Sequence, residues 1–521
     1  MIRIDHSPGR VPPPMGSAYK YTVLAGNTGE AESQTSARRK SFGKSPRTWC
    51  LRFVVTMFTL VLLFQLWSAL IRATHAVEPG SQGDCDTPDG GFQCNSSISH
   101  NWGQYSPFFL APSEIDASVP SGCEVTFAQI LSRHGARDPT ASATAAYGET
   151  IEQIQSSVTN YGEGFEFIKD YQYTLGADQL SDFGRQEMFN SGVHFYNRYQ
   201  ILARNNTPFF RSDGQQRVVE SGQKWTEGFH QALLGDSGRA GGPADEFPYK
   251  MVIIPNEDGT NNTLNHNLCT AFENTKLGKE AQKEFMESAM GGITERLNNG
   301  LEGANLTTKQ AVQIMELCPF ETVADPQATL SQFCTLFTQR DWEAYDYLQT
   351  LGKWYGYGNG NPLGSTQGVG FVNELIARLL QKPVEDHTNT NSTLDSDPST
   401  FPLDKKLYAD FSHDNDMLGI YAALGIYNAT APDSVPKKER RSAQELSGFS
   451  SSWAVPFAAR MFVEKMTCAG QNEELVRILV NDRVTPLQNC DADSMGRCTL
   501  SKFVESLSFA RSGGRWDQCF V

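Results

Sequence analysis

The stretch LSRHGARDPT, Leu131 to Thr140, sets Arg133, His134 and Arg137 within five positions of a chain whose formal net charge is −15. The residues before it, EVTFAQIL from Glu124, form an apolar run with Val125 and Phe127 at alternate positions. That pattern predicts a buried strand whose C-terminal end delivers Arg133 and His134. A second run, KLYADFSHDND from Lys406 to Asp416, is apolar and then stops on His413 and Asp414. Active sites of open α/β sheets lie at such strand ends.

Between these runs the pattern is mainly helical. Ser181–Asn205, Lys279–Asn299 and Ser331–Gly356 each repeat aliphatic and aromatic residues at spacings of three and four. The expected fold class is α/β, with a mixed central sheet, helices on both faces and a smaller, mainly helical domain built from insertions. The core is expected at about 120–150, 201–265 and 366–521, the helical part at about 151–200 and 266–365. The segment 385–400, EDHTNTNSTLDSDPST, reads as a polar surface loop. No repeat at solenoid or propeller spacing is present.

The N-terminal part belongs to another environment. Up to Ala76 there are ten Lys or Arg against three Asp or Glu, a net of +7, which leaves −22 for the rest of the chain. Residues 1–52 are polar and rich in Gly, Pro and Ser, the composition of a disordered tail. Residues 53–71, Phe53 to Ile71, are nineteen residues without a charge, about one bilayer crossing. Six basic residues from Arg38 to Arg52 precede them, so a signal-anchor with its N-terminus in the cytoplasm is expected, followed by a linker at 72–84. A cleaved signal peptide ending near Ala76 is the alternative, in which case the protein is secreted.

Either way residues 85–521 are expected outside the cytoplasm. Ten of the eleven cysteines follow the apolar run, an even number suited to disulfides, with Cys50 on its cytoplasmic side. Six acceptor sequons, at Asn95, Asn205, Asn261, Asn305, Asn391 and Asn428, suit a glycosylated product. No cysteine or histidine spacing suggests a metal, and neither a cofactor nor a nucleic-acid partner is expected. A monomer is expected.

A basic island in an acidic chain reads as an anion site. Guanidinium groups are always charged and bind phosphate oxygens in bidentate pairs. A neutral imidazole between them can attack phosphorus without bringing a further negative charge, giving a phosphohistidine that water removes. Neighbouring cations depress the histidine pKa and keep it unprotonated at mildly acidic pH. A carboxyl beside a bound anion has its pKa raised and can protonate a leaving alkoxide.

LSRHGARDPT, together with FRSDGQQRVVESG (Phe210 to Gly222) and FSHDND (Phe411 to Asp416), resembles the histidine acid phosphatases, and among them the fungal phytases. The resemblance runs from CDTPDGGFQC and WGQYSPFF, through YTLGADQLSDFGRQ and YDYLQTLGKWYGYGNGNPLGSTQGVGFVNELIARL, to Cys519. It implies phosphomonoester hydrolysis at acidic pH, with inositol hexakisphosphate (phytate) as a substrate. It also implies His134 as nucleophile, Arg133, Arg137 and Arg211 as the clamp on the scissile phosphate, His413 as a further phosphate contact and Asp414 as the acid. The same resemblance pairs Cys85 with Cys94, Cys123 with Cys468, Cys269 with Cys519, Cys318 with Cys334, and Cys490 with Cys498.

The chain departs from the phytases where outlying phosphates are met. Asp138 replaces the usual Tyr, the following ASATAAYGET carries no lysine, Gly352-Lys353 replaces a lysine pair, and Tyr357 stands in place of a His. Fewer peripheral cations lead to the expectation of a broad acid phosphatase that still accepts phytate. Three other readings are weaker: a catalytically silent, membrane-tethered protein that binds phosphorylated ligands, a phosphoglycerate-mutase-like transferase, which shares RHG but would not carry the HD pair and the five bridges, and a protease suggested by GDSG at Gly235 to Gly238. His194, His230 and His266 are expected at surface or core positions.

Overall fold

The computed structural model describes residues 85–239, 247–428 and 435–520. The expected tail, membrane segment and linker, residues 1–84, lie outside the described residues. Among the described residues no helix is long and apolar enough to cross a membrane.

The sheet is built from β1 (Cys123–Arg133), β2 (Phe209–Asp213), β3 (Met251–Ile254), β4 (Leu407–Ser412), β5 (Arg460–Cys468), β6 (Leu475–Val480), β7 (Arg483–Val484) and β8 (Arg497–Thr499), in the order β7-β6-β5-β1-β4-β2-β3 with β8 also on β6. Strands β1, β4, β2 and β3 are parallel, whereas β5, β6, β7 and β8 pair antiparallel, so the sheet is mixed as expected.

Alternation along the strands builds two apolar layers. Ala128, Ile130, Leu407, Ala409 and Phe411 pack on one face with α2 (Asp182–Arg198) and α3 (Gln216–Gly235), through Met188, Phe195, Trp225 and Phe229. Phe127, Leu131, Tyr408 and Met461 face the other way, into a core shared with α8 (Val369–Leu380) and α9 (Asp414–Ala423). That core continues through Phe285, Phe320, Trp342 and Trp354 of the helical part. The helices there are α1 (Ala141–Ser157), α4 (Leu277–Ala289), α5 (Gly291–Gly300), α6 (Thr308–Ala324) and α7 (Gln339–Gly356). Helix α2 lies in the stretch 151–200 assigned above to the helical part, yet its apolar side packs on the sheet.

Five disulfides join Cys85 to Cys94, Cys123 to Cys468, Cys269 to Cys519, Cys318 to Cys334 and Cys490 to Cys498, the pairing that the resemblance implies. The segment 385–400 is only partly a surface loop: Thr388, Asn389 and Thr390 are buried, with Asn389 Nδ2 donating to the carbonyl of Asn262. Their neighbours Asn261 and Asn391, like the other four sequon asparagines, lie at exposed or half-buried positions. In GDSG, α3 ends at Gly235 and Asp236 pairs with Arg204 at 2.6 Å, which makes the tetrapeptide a helix stop.

Candidate active site

The parallel strands β1, β2 and β4 end together, because their register sets Arg133 beside Ser412 and Ser212 beside Phe411. The loop after β1 is gripped from both sides. His134 N donates to Ser412 O at 3.2 Å, and Ala458 N donates to His134 O at 3.0 Å. Helix α2 presses on it so closely that a Cβ on Gly135 would sit 2.2 Å from the Gly184 carbonyl oxygen. The buried Glu187 accepts from Phe108 N at 2.9 Å and Ala136 N at 2.8 Å, tying the loop to the segment before β1. Burial, with the nearby Asp86, pushes its carboxyl up to about 8 against the pull of those two amides.

His134 is 1% exposed. Its Nδ1 lies 2.8 Å from Gly135 O, and a carbonyl can only accept, so Nδ1 carries the hydrogen and Nε2 keeps its lone pair. Burial, followed by the charges of Arg133, Arg217 and Arg137, holds the imidazole well below its usual pKa. Arg133 is fully buried. Its Nη1 donates to the carbonyls of Gln104 and Val455, and its Nη2 stands 3.2 Å from Asp414 Oδ2. Burial lowers its pKa to about 10, so it stays charged at acidic pH. The Nε atoms of Arg133, Arg137 and Arg217 are buried with no hydrogen-bond partner, donor capacity that an anion would fill.

His413 and Asp414 stand where β4 passes into α9. His413 Nε2 lies 3.0 Å from Asp213 Oδ2, at the end of β2. Burial alone would raise the Asp414 carboxyl, but Arg133 and Lys353 together hold it well below the usual carboxylate range. Lys353 Nζ is 2.7 Å from Asp414 Oδ2 and 2.7 Å from Asn415 Oδ1. Without a bound anion Asp414 is therefore ionised, whereas the raised pKa expected above requires the anion.

One residue named from sequence lies apart from this cluster. Arg211 is 2% exposed and does not reach this cluster; its Nε pairs with Asp410 Oδ1 at 2.9 Å and its Nη2 with Glu374 Oε2 at 2.6 Å. In the register Arg211 stands beside Asp410, so the two charges meet on one face beneath the strand ends, where Arg378 also binds Asp410. The arginine missed is Arg217, six residues on in the first turn of α3. It reaches Asp178 at 3.4 Å, and burial and Arg137 lower its pKa to about 10. The quoted motif contains both arginines, and only the end of β2 between them tells them apart. The histidines set aside above have partners too. His194 binds Asp482 at 2.8 Å, His230 stands 2.9 Å from the Tyr249 hydroxyl, and His266 binds Glu273 at 2.7 Å.

A cleft of about 640 Å³ adjoins the cluster and shares Lys353 with it; Tyr105, Tyr147, Gln349 and Tyr357 are among its walls.

Comparison with known proteins gives the family. The model of the histidine phosphatase superfamily (branch 2) matches residues 124–481. Phytase A of Aspergillus oryzae is 51% identical over 456 residues, which cover 87% of this chain and 97% of the relative. Phytase A of Emericella nidulans is 50% identical over 472 residues, covering 90% and 100%. The crystal structure of the phytase from D. castellii has the same fold at 21% identity, with a TM-score of 0.65 over 81% of this chain and 87% of that one. The chain belongs to the histidine phosphatase superfamily, branch 2. It is a phosphomonoesterase of the histidine acid phosphatase type.

Proposed function

We propose that the protein hydrolyses phytate, with His134 as nucleophile and Asp414 as general acid. The observation that carries the mechanism is the neutral imidazole of His134, its Nδ1 hydrogen committed to Gly135 O and its Nε2 free, among Arg133, Arg137 and Arg217. Substrate phosphate would fill the unused donors of these arginines. His413, held by Asp213, is the further phosphate contact. Nε2 attacks phosphorus as the bond to the inositol oxygen breaks, and the leaving alkoxide takes a proton from Asp414. A phosphate monoester at acidic pH enters partly as its monoanion, so it can carry that proton in. Its charge occupies Arg133 and opposes that of the carboxylate, which raises Asp414 from its ligand-free state. Water then attacks the phosphohistidine and gives a proton back to Asp414.

Phytate as the substrate is supported by the two Phytase A relatives, about half identical over nearly their whole length. The test is phosphate release from phytate at mildly acidic pH in the presence of a chelator. Release by the wild type and none by His134→Ala is expected; activity that vanishes with the chelator and returns with a divalent ion contradicts the reading.

The location is likewise a proposal: a single-pass type II protein, anchored through Phe53–Ile71, with a glycosylated catalytic part outside the cytoplasm. Ten bridged cysteines and six exposed or half-buried sequon asparagines, all beyond the apolar run, support it. A mature N-terminus at Val77 would instead mean a cleaved signal.

A further inference from the structure

The positions that carry phytase lysines by resemblance are poor in cations here, yet the cleft beside the cluster is not. Lys276, just before α4, Lys279 in the first turn of α4 and Lys309 in the first turn of α6 line it, and all three are exposed. Among the described residues no carboxylate lies within ion-pairing distance of any of them. The two acids of the cleft are engaged: Glu273 accepts from His266 at 2.7 Å, and Glu316 accepts from Tyr147 at 2.6 Å and from Tyr345 and Gln349 at 3.2 Å. Burial further raises the pKa of Glu316, which favours its neutral form in acid. The cleft is thus a local positive field in an acidic protein, and it opens onto Lys353, 2.7 Å from Asp414.

We propose that Lys276, Lys279 and Lys309 form the subsite that holds the outlying phosphates of an inositol polyphosphate while one phosphate lies at His134. The inference rests on the phosphomonoesterase reading above and adds the residues that select the substrate. Two elements, the start of α4 and the first turn of α6, bring the cations to the cleft that Ser142, Ala143 and Gly352 line without a charge. The relaxed selectivity expected from sequence is thereby replaced by selectivity carried at other positions. Exposed flexible lysines suit a ring that must be presented again after each phosphate is removed, because they follow the remaining charge without a fixed geometry.

The test compares wild type with the triple variant Lys276→Gln, Lys279→Gln, Lys309→Gln, using phytate and p-nitrophenyl phosphate at low and high salt. These side chains are exposed and unpaired, so folding is retained, which the melting temperature checks. In the variant kcat/KM for phytate should fall about ten- to a hundredfold at low salt and less at high salt, with the aryl phosphate changed less than about twofold. As a second readout, myo-inositol hexakissulfate should inhibit aryl phosphate hydrolysis by the wild type, with a Ki that rises in the variant by a similar factor. An unchanged phytate-to-aryl ratio and an unchanged Ki would overturn the subsite and leave the phosphatase reading intact. Failure of the wild type to hydrolyse either ester would overturn that reading, and the subsite with it.

Discussion

The ammonium of Lys353 stands 2.7 Å from Asp414 Oδ2, so a cation on helix α7 of the helical part governs a carboxylate at the end of a sheet strand. A general acid must hold a proton, and Lys353 opposes that until substrate phosphate arrives. Binding and protonation are coupled through this pair.

Replacing Lys353 with Met removes a charge that stabilises ionised Asp414, so the Asp414 pKa rises. The alkaline limb of the kcat profile, which reports loss of the acid proton in the enzyme–substrate complex, should move to higher pH. Because Lys353 also lines the cleft, KM for phytate should rise. An unmoved alkaline limb would separate Lys353 from the acid.

Arg211 and Arg217 should respond in opposite ways. Arg211→Ala strips the buried Glu374 of its arginine and leaves Asp410 with Arg378 alone, and a broken buried pair costs about 3–5 kcal/mol, read as a fall in melting temperature. Arg217→Ala should leave stability nearly unchanged and lower kcat/KM on the order of a hundredfold, the scale of one lost transition-state donor. The reverse pattern would restore the assignment made from sequence.

The site was legible where its chemistry is local. Arg133, His134 and Arg137 follow one strand, His413 and Asp414 another, and apolar runs that stop abruptly mark both. Choosing Arg217 over Arg211 required the register that sets Arg211 beside Asp410. Lys276, Lys279 and Lys309 carry no local signal, since only the packing of α4, α6 and α7 brings them to one cleft. Glu187 was invisible for the same reason: an acid within an amphipathic helix reads as solvent-facing until α2 packs on the RHGA loop.

Stability should depend on Glu187. Its folded-state pKa, about 8, lies above the ordinary value of 4.5. The folded state therefore holds a proton that the unfolded chain has lost, and the contribution is fully present below the ordinary value. It declines as pH rises toward 8, by at most about 1.4 kcal/mol per pH unit for one group. Thermal melts across this window should flatten in Glu187→Gln; an unchanged slope would assign the dependence to other groups, such as Asp86, whose pKa is raised to about 6.

Asp414→Asn should slow alkyl phosphates far more than aryl phosphates, because an aryl alcohol leaves without a proton. Equal losses on both would remove the general-acid role.

The most direct test of the central claim is rapid acid-free quenching of the enzyme with radiolabelled phosphomonoester, followed by peptide mapping. A transient, acid-labile phosphoryl group on His134, formed within one turnover and absent from His134→Ala, is the predicted result. Label on another residue, or turnover with no covalent phosphoryl-enzyme, would contradict it.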